Sequence, residues 1–320
     1  MPSASIDLRN AVRPYLEGCE AGDCVLVAIS GGADSLALAF AVLKEAQELS
    51  INPIGVSINH QLQDGARAQA EKVSTQCMEM GYSEVIIKDV EVSMESGLEA
   101  GARDARYRAL DQIAIEKNSK LIFLGHTKDD QAESVLLGLA RGSGTRSLSG
   151  MAAKNGLYIR PMLSLSRETS EQVCIENNLE FWSDPQNQSL EFTRVKVRNV
   201  VLPVLEENLG PGVSDALARS AAIFRDDADA LDAIAELECE SLNLADLECK
   251  VLEKMPRAIR SRILRRAIYA AGAPSGAISA AHLAFVEALV TAWHGQGEVS
   301  LPGGVKVARI SGRLSLLARP

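Results

Sequence analysis

The sequence predicts an α/β fold: a mostly parallel sheet with both faces covered by helices, followed by a smaller, mainly helical domain. Three observations carry this. Short apolar runs rich in β-branched residues alternate with helix-period segments between residues 24 and 140. A Gly-Gly turn joins the first run directly to a helix. Beyond Leu209-Gly210-Pro211-Gly212 the chain becomes Ala-rich, acidic and helical in pattern.

Taken in order, CVLVAIS (24–30) reads as a buried strand and LALAFAVLKEAQEL (36–49) as a helix. PIGVSIN (53–59) is a second strand, and residues 65–80 form a helix that closes at Gly81. SEVIIKDV (83–90) is a third strand, 98–116 is helical, and KLIFLGH (120–126) is a fourth strand. Residues 129–140 are helical and end before Gly142. Such alternation needs crossover connections, hence a mostly parallel sheet, and such sheets bind ligands at the carboxyl ends of their strands. Further on, helices fill 213–240, 256–271 and 279–292, and the tail EVSLPGGVKVARISGRLSLL (298–317) reads as two short strands around Pro-Gly-Gly. A boundary near 209–213 divides the chain into domains 1–209 and 210–320.

Composition narrows the function classes. With 47% hydrophobic residues among 320, the chain can build sizeable cores. Aromatics at 4% argue against a broad base-stacking platform. The net charge of -9 gives no global signal for nucleic acid and leaves the question to local patches. One patch exists: Lys254, Arg257, Arg260, Arg262, Arg265 and Arg266, preceded by an acidic stretch from Asp226 to Glu240. It reads either as a phosphate-contacting surface or as the wet face of a helix neutralised by that acidic stretch. The six cysteines contain no Cys-x-x-Cys pair, which fits free thiols in a reducing cytosol. The start has no basic region followed by an apolar stretch, so no signal peptide is expected. The apolar run Leu36 to Leu43 is too short to span a bilayer. A cytoplasmic protein without membrane attachment is therefore expected.

The chemistry concentrates at two strand ends. Ser30-Gly31-Gly32-Ala33-Asp34-Ser35 lies between the first strand and its helix. The glycines let phosphate oxygens approach backbone N–H groups, and the helix start adds unpaired donors. Ser30 and Ser35 add hydroxyls. An aspartate there is explained as a Mg²⁺ ligand or as the partner of a nearby cation. At the end of the fourth strand, His126 precedes a helix whose first turns carry Asp129, Asp130 and Glu133, with Asp130 and Glu133 on one face. Arg141-Gly142-Ser143-Gly144 follows as a loop with one positive charge, which serves a phosphate or simply stops the helix.

The hexapeptide 30–35 resembles the PP-loop of the N-type ATP-pyrophosphatases and is not a Walker A loop, since it lacks the Gly-Lys-Ser/Thr ending. LGHTKDDQAESVLLGLARGSGTRSLSGM (124–151) resembles the signature of the tRNA(Ile)-lysidine synthetases within that superfamily. Shorter matches support it. Asn59-His60-Gln61-Leu62 is similar to a family His-x-Leu-Arg, with Gln63 in place of the arginine. Glu99 to Tyr107 resembles Glu-Ala-x-Ala-Arg-x-x-Arg-Tyr and places Arg103 and Arg106 on one helix face. Arg160-Pro161 and Asp184 to Pro203 resemble the end of the catalytic domain, with Gln186 and Val195 departing from its usual Ser and Asn. The helical second domain resembles the first accessory domain of the family, and 320 residues leave no room for the further C-terminal domain of longer members.

The resemblance implies that ATP adenylates the C2 oxygen of the wobble cytidine in tRNA(Ile) with a CAU anticodon, and that free L-lysine displaces AMP. It implies ATP contacts from Ser30, Gly31, Gly32, Ala33, Asp34, Ser35 and His126, and Mg²⁺ on Asp34 and Asp130. His126 and Arg103 are to stabilise phosphate charge, and Glu133 or Asp129 to receive the lysine ammonium. Arg106, Arg141, Arg194, Arg198, Arg257 and Arg260 are the candidates to contact tRNA, with Asp184 and Asn187 near it. A homodimer is an admissible assembly. Two other readings stay open at this point: a tRNA thiolase, which needs a sulfur carrier usually built from paired cysteines, and a non-catalytic nucleotide-binding module.

Overall fold

The computed structural model describes residues 3–61, 65–93, 97–142, 144–182, 189–274 and 276–318. They divide into two compact units, Met1–Phe224 and Arg225–Pro320. The expected boundary at 209–213 falls on the Gly210–Gly212 break between two helices, ahead of the division between Phe224 and Arg225. The units divide later, inside a long helix, because Leu217 on that helix packs with Ala132, Val197 and Leu202 of the first unit, and Asp215 pairs with Lys128 at 2.5 Å.

The first unit runs α1 (Ala4–Leu16), β1 (Cys24–Ala28), α2 (Ala33–Glu48), β2 (Asn52–Asn59), α3 (Ala66–Met80), β3 (Val85–Asp89), α4 (Leu98–Glu116), β4 (Leu121–Phe123) and α5 (Lys128–Ala140). It continues with α6 (Thr145–Leu148), β5 (Lys154–Asn155), β6 (Tyr158–Ile159), α7 (Arg167–Glu176), α8 (Thr193–Lys196), a π-helical turn over Val197–Val201, and α9 (Leu202–Leu209). The sheet order is β3-β2-β1-β4-β6-β5, parallel except for the β5–β6 pair. The chain builds outward from β1 through β2 to β3, then crosses back to place β4 on the other side of β1. Crossovers from β1 and β4 leave in opposite senses, so a crevice opens at their carboxyl ends. Residues 30–35 and 124–130 both lie there.

Each face of the sheet has its own core. Leu8, Val12 and Leu16, at helical spacing on α1, pack with Leu36, Leu38, Val42 and Phe123 on one side. Leu26, Ile54, Val56, Leu110, Ile113 and Ile122 fill the other. Burial on both faces explains why β1, β2 and β4 read as continuous apolar runs rather than alternating ones.

The second unit takes the rest of α10 (Val213–Glu240), then β7 (Asp246–Glu248), α11 (Cys249–Lys254), α12 (Arg257–Ala270), α13 (Ala280–Thr291), β8 (Val299–Ser300), β9 (Val305–Ile310) and β10 (Arg313–Ala318). The three predicted helices are present. The strands form more than a pair: β7-β10-β9-β8 is a four-stranded antiparallel sheet. The turn that sequence reading passed over is Ser311-Gly312, with φ of 48° and 81°, both in the left-handed region that a tight hairpin demands. Among the described residues, no helix is long and apolar enough to cross a membrane.

Gly31 anchors the first strand end. Its φ is 88°, and a Cβ there would lie 2.6 Å from Val73 Cγ2. Replacing Gly31 by Ala should therefore destabilise the fold by about 1–3 kcal/mol, read as a lower urea midpoint, and weaken nucleotide binding along with it.

Candidate active site

The loop after β1 is held by its own serine. Ser35 Oγ accepts the N–H groups of Ser30 at 3.1 Å and Gly31 at 3.2 Å and donates to Gly32 O at 2.9 Å. The Ser30 and Gly31 amides are thus satisfied internally, and those of Gly32, Ala33 and Asp34, at the start of α2, are the donors without an intrahelical partner. The end of β4 packs directly on this loop. A Cβ on Gly125 would lie 3.0 Å from Asp34 O and 3.2 Å from Ser35 Cα, so glycine is what lets the two strand ends meet.

A cleft of about 460 Å³ opens above that junction. Five guanidiniums line it, those of Arg103, Arg106, Arg167, Arg194 and Arg198, with His60, His126, Asp34 and Asp130. Such a cationic concentration in a chain of net charge -9 marks a site for a polyanion. Buried polar atoms without a partner gather here too: Asp34 Oδ1, His60 Nδ1, Arg106 Nε and His126 Nδ1. Orphaned groups of this kind call for a polar ligand.

The α5 acids are arranged as a layer. Asp130, at the third residue of α5, closes a capping box: its Oδ2 accepts the Thr127 N–H at 2.8 Å, and its Oδ1 accepts from Arg198 Nη2 at 3.2 Å. Glu133 lies deeper, with 0% of its side chain exposed, between Arg194 Nε at 3.0 Å and the Arg198 guanidinium at 2.5 and 3.1 Å. Asp129 Oδ2 accepts the Arg167 N–H at 2.9 Å and so caps α7. Asp34 Oδ2 accepts from Arg167 Nε at 3.3 Å. Behind the arginines, the Tyr107 ring lies under Arg103 at 4.9 Å and Arg106 at 5.6 Å, and its hydroxyl accepts from buried Arg160 at 3.0 Å. Burial would raise the Tyr107 hydroxyl, but Arg103, Arg160 and Arg106 bring it below its ordinary value.

These positions revise several expectations. Asp34, Arg103, His126 and Asp130 do converge. Asp129 and Glu133 are not among the residues lining the cleft: Asp129 Oδ2 accepts the Arg167 amide, and Glu133 is enclosed by two guanidiniums. Arg194 and Arg198 hold Glu133 from the wall of the cleft, which Arg106 also lines. Arg141 is exposed after α5. In the second unit, Arg260 is buried, forked onto Glu287 at 3.1 and 2.8 Å, with Met255 O at 3.0 Å. That removes it from the candidates for phosphate contact. Arg262 pairs with Asp232 and Arg266 with Glu236, as the cis-neutralised reading of the basic stretch requires. Arg257 shares Glu287 but keeps 79% of its side chain exposed. Leu62, Gln63, Ser143, Asp184, Gln186 and Asn187 lie outside the described residues.

Sequence reasoning missed Arg167. A cation at the first position of a helix sits at the unfavourable end of the dipole, and that local conflict was the available signal. Charge at the site follows from burial. Burial raises the Asp34 carboxyl above its ordinary value despite Arg167. Burial and the surrounding arginines push His126 down to about 3, against Asp130, so it is neutral at pH 7. Asp130 goes the other way: burial opposes ionisation, but the Thr127 N–H and the Arg194 and Arg198 guanidiniums hold it below the usual carboxylate value.

Comparison with known proteins fits this geometry. Residues 4–205 match a family described as the PP-loop domain, and residues 247–315 match the TilS substrate binding domain. The tRNA(Ile)-lysidine synthase of Streptomyces coelicolor is 49% identical over 302 residues, covering 93% of this chain and 86% of its own. The chain belongs to the tRNA(Ile)-lysidine synthase family. The family member from Thermobifida fusca is 45% identical and covers 97% of both chains. A solved U34-tRNA thiolase, NcsA from Methanococcus maripaludis, superposes with a TM-score of 0.54 at 20% identity, covering 68% of this chain and 77% of its own. That likeness is one of fold. Family membership sets the thiolase reading aside. All six cysteines are free, and Cys77, Cys174 and Cys249 are buried.

Two predictions follow from the charge layer. Glu133→Ala strands two guanidiniums and should cost about 3 kcal/mol of stability in urea denaturation. His126 is protonated in the unfolded chain below about pH 6.5 but resists protonation in the fold down to about 3. Its contribution to stability is therefore present above pH 6.5 and is lost as pH falls toward 3. Asp34, raised by burial, has the opposite slope. Between pH 7.5 and 5, His126→Asn should lose on the order of 1–2 kcal/mol less stability than wild type.

Proposed function

We propose that the cleft at the β1 and β4 ends carries out ATP-dependent conversion of the wobble cytidine of tRNA(Ile), CAU anticodon, to lysidine. The observation that carries this reading is the convergence of five guanidiniums and two carboxylates on a PP-loop whose helix start still has free donors. The cytosine C2 oxygen attacks the α-phosphorus of ATP, the α–β phosphate bond breaks, and pyrophosphate leaves. The ε-amine of lysine then attacks C2, the C2–oxygen bond breaks, AMP departs with that oxygen, and the amine loses a proton.

The chain's own groups mostly position and neutralise. The amides of Gly32, Ala33 and Asp34 and the α2 dipole receive the pyrophosphate portion. Arg103 and Arg106, braced by Tyr107, offset charge as it moves to the leaving group. His126, neutral and with Nδ1 unpartnered, can donate or accept one hydrogen bond at the phosphates without adding charge. Asp34 and Asp130 would hold Mg²⁺, which needs only one or two carboxylates beside phosphates and water; the partnerless, buried Asp34 Oδ1 fits that donor set. The ion supplies charge neutralisation at the phosphates when bound. The target base must leave its stack to reach the cleft. For tRNA, Arg141, Arg257, Lys254 and Arg265 are the cations we place against backbone phosphates. A cytoplasmic location follows from this substrate.

Purified protein with ATP, radiolabelled lysine and tRNA(Ile) should release AMP and pyrophosphate and label the tRNA. Label transfer from a sulfur donor instead would overturn the reading. Asp34→Ala should lower turnover at least a hundredfold with unchanged circular dichroism. Replacing Lys254, Arg257 and Arg265 together by Gln should weaken tRNA binding and flatten its salt dependence, leaving ATP affinity intact.

A further inference from the structure

We propose that Arg167 is a placeholder cation: in the nucleotide-free enzyme its guanidinium occupies the gap between Asp34 and Asp130 that the divalent ion takes when ATP binds. This rests on the ATP reading above and adds a state that reading does not contain.

The two carboxylates stand on the first turns of α2 and α5, which begin at neighbouring strand ends, so without a cation between them they repel. Arg167 is the cation that reaches both, with Nε 3.3 Å from Asp34 Oδ2 and Nη2 3.9 Å from Asp130 Oδ1, an oxygen that also accepts from Arg198 Nη2 at 3.2 Å. Both contacts are longer than the 2.7–2.9 Å of a well-made charged hydrogen bond, and neither is a fork. The contrast is one helix turn away, where Arg198 grips Glu133 at 2.5 and 3.1 Å. Arg198 is closely paired; Arg167 makes only these longer contacts, and Asp34 Oδ1 remains without a partner beside it. Its helix offers no reason to keep it there, since the start of α7 disfavours a cation and is already capped by Ser166 Oγ and Asp129. A metal–triphosphate complex brings a better cation for the carboxylates and phosphate oxygens for the guanidinium. The exchange keeps the charge of the cleft balanced in both states.

Mn²⁺ alone, titrated into nucleotide-free protein and followed by the electron paramagnetic resonance signal of the free ion, tests this. Arg167→Ala and Arg167→Met should each bind Mn²⁺ at least tenfold more tightly than wild type, and adding Asp34→Asn to either should abolish the gain. Arg103→Ala removes the same charge from the same cleft and should not reproduce it. Equal Mn²⁺ affinity in wild type and the Arg167 variants, an equal gain in Arg103→Ala, or a gain that survives Asp34→Asn would overturn the proposal. If Arg167→Ala does not fold, Arg167→Met, which keeps the stem packing, decides. Equilibrium dialysis of wild type with Mg-ATP runs alongside: failure to bind ATP overturns the ATP reading, while the Mn²⁺ comparison decides the role of Arg167 independently.

Discussion

Contact between the backbone of Gly125 and that of Asp34 and Ser35 sets the distance between two strand ends, and the site is built on that distance. Because β4 returns to the far side of β1, the helices that follow these strands start side by side with their positive ends toward the same crevice. Asp34 and Asp130 occupy the first turns of those helices. Anything that separated the strands would part the carboxylates, loosen the cleft and move the PP-loop away from His126.

The cleft concentrates like charges that the rest of the chain must counter. Five arginines share its walls, steadied in three ways: Arg103 and Arg106 by the Tyr107 ring, Arg194 and Arg198 by Glu133, Arg167 by Asp34 and Asp130. Only some of these supports face the ligand. Glu133 is wholly enclosed, so its charge is felt by the arginines and hardly at all by anything entering from solvent. A buried acid can thus hold two cations in place while leaving their outward faces attractive to a polyanion. The second unit uses the same device for another end, since Glu287 ties α12 to α13 through Arg260 and spends that arginine on structure.

Much of this was legible in the residues. The strands and helices of 24–140 declare themselves through alternating period, and α4, α5, α10 and α12 begin and end within a residue or two of the sequence reading. Asp34, His126 and Asp130 were legible because each follows an apolar run that ends in a turn. What escaped needed contacts between distant segments. Arg194 and Arg198 are four residues apart, which shows that they share a helix face, but nothing local says that the face meets Glu133 more than sixty residues earlier. The burial of Arg260 depends likewise on an acid 27 residues away. In the tail, Pro302-Gly303-Gly304 is such strong punctuation that it masked the quieter Ser311-Gly312 turn, and with it the true hairpin of β9 and β10. Helix α1 was passed over too, with Pro14 interrupting its pattern.

The way Ser35 ties down the loop bears on selectivity among anions. Its hydroxyl already satisfies the Ser30 and Gly31 amides, so the empty loop is not a bare nest of donors waiting for any passing anion. Free phosphate, sulfate or chloride must either dislodge that hydroxyl or make do with the few amides at the start of α2. A long polyanion can engage those amides and the arginine walls together, and its many contacts repay the rearrangement. A loop closed on its own serine thus favours a guest with many contacts over a single small anion.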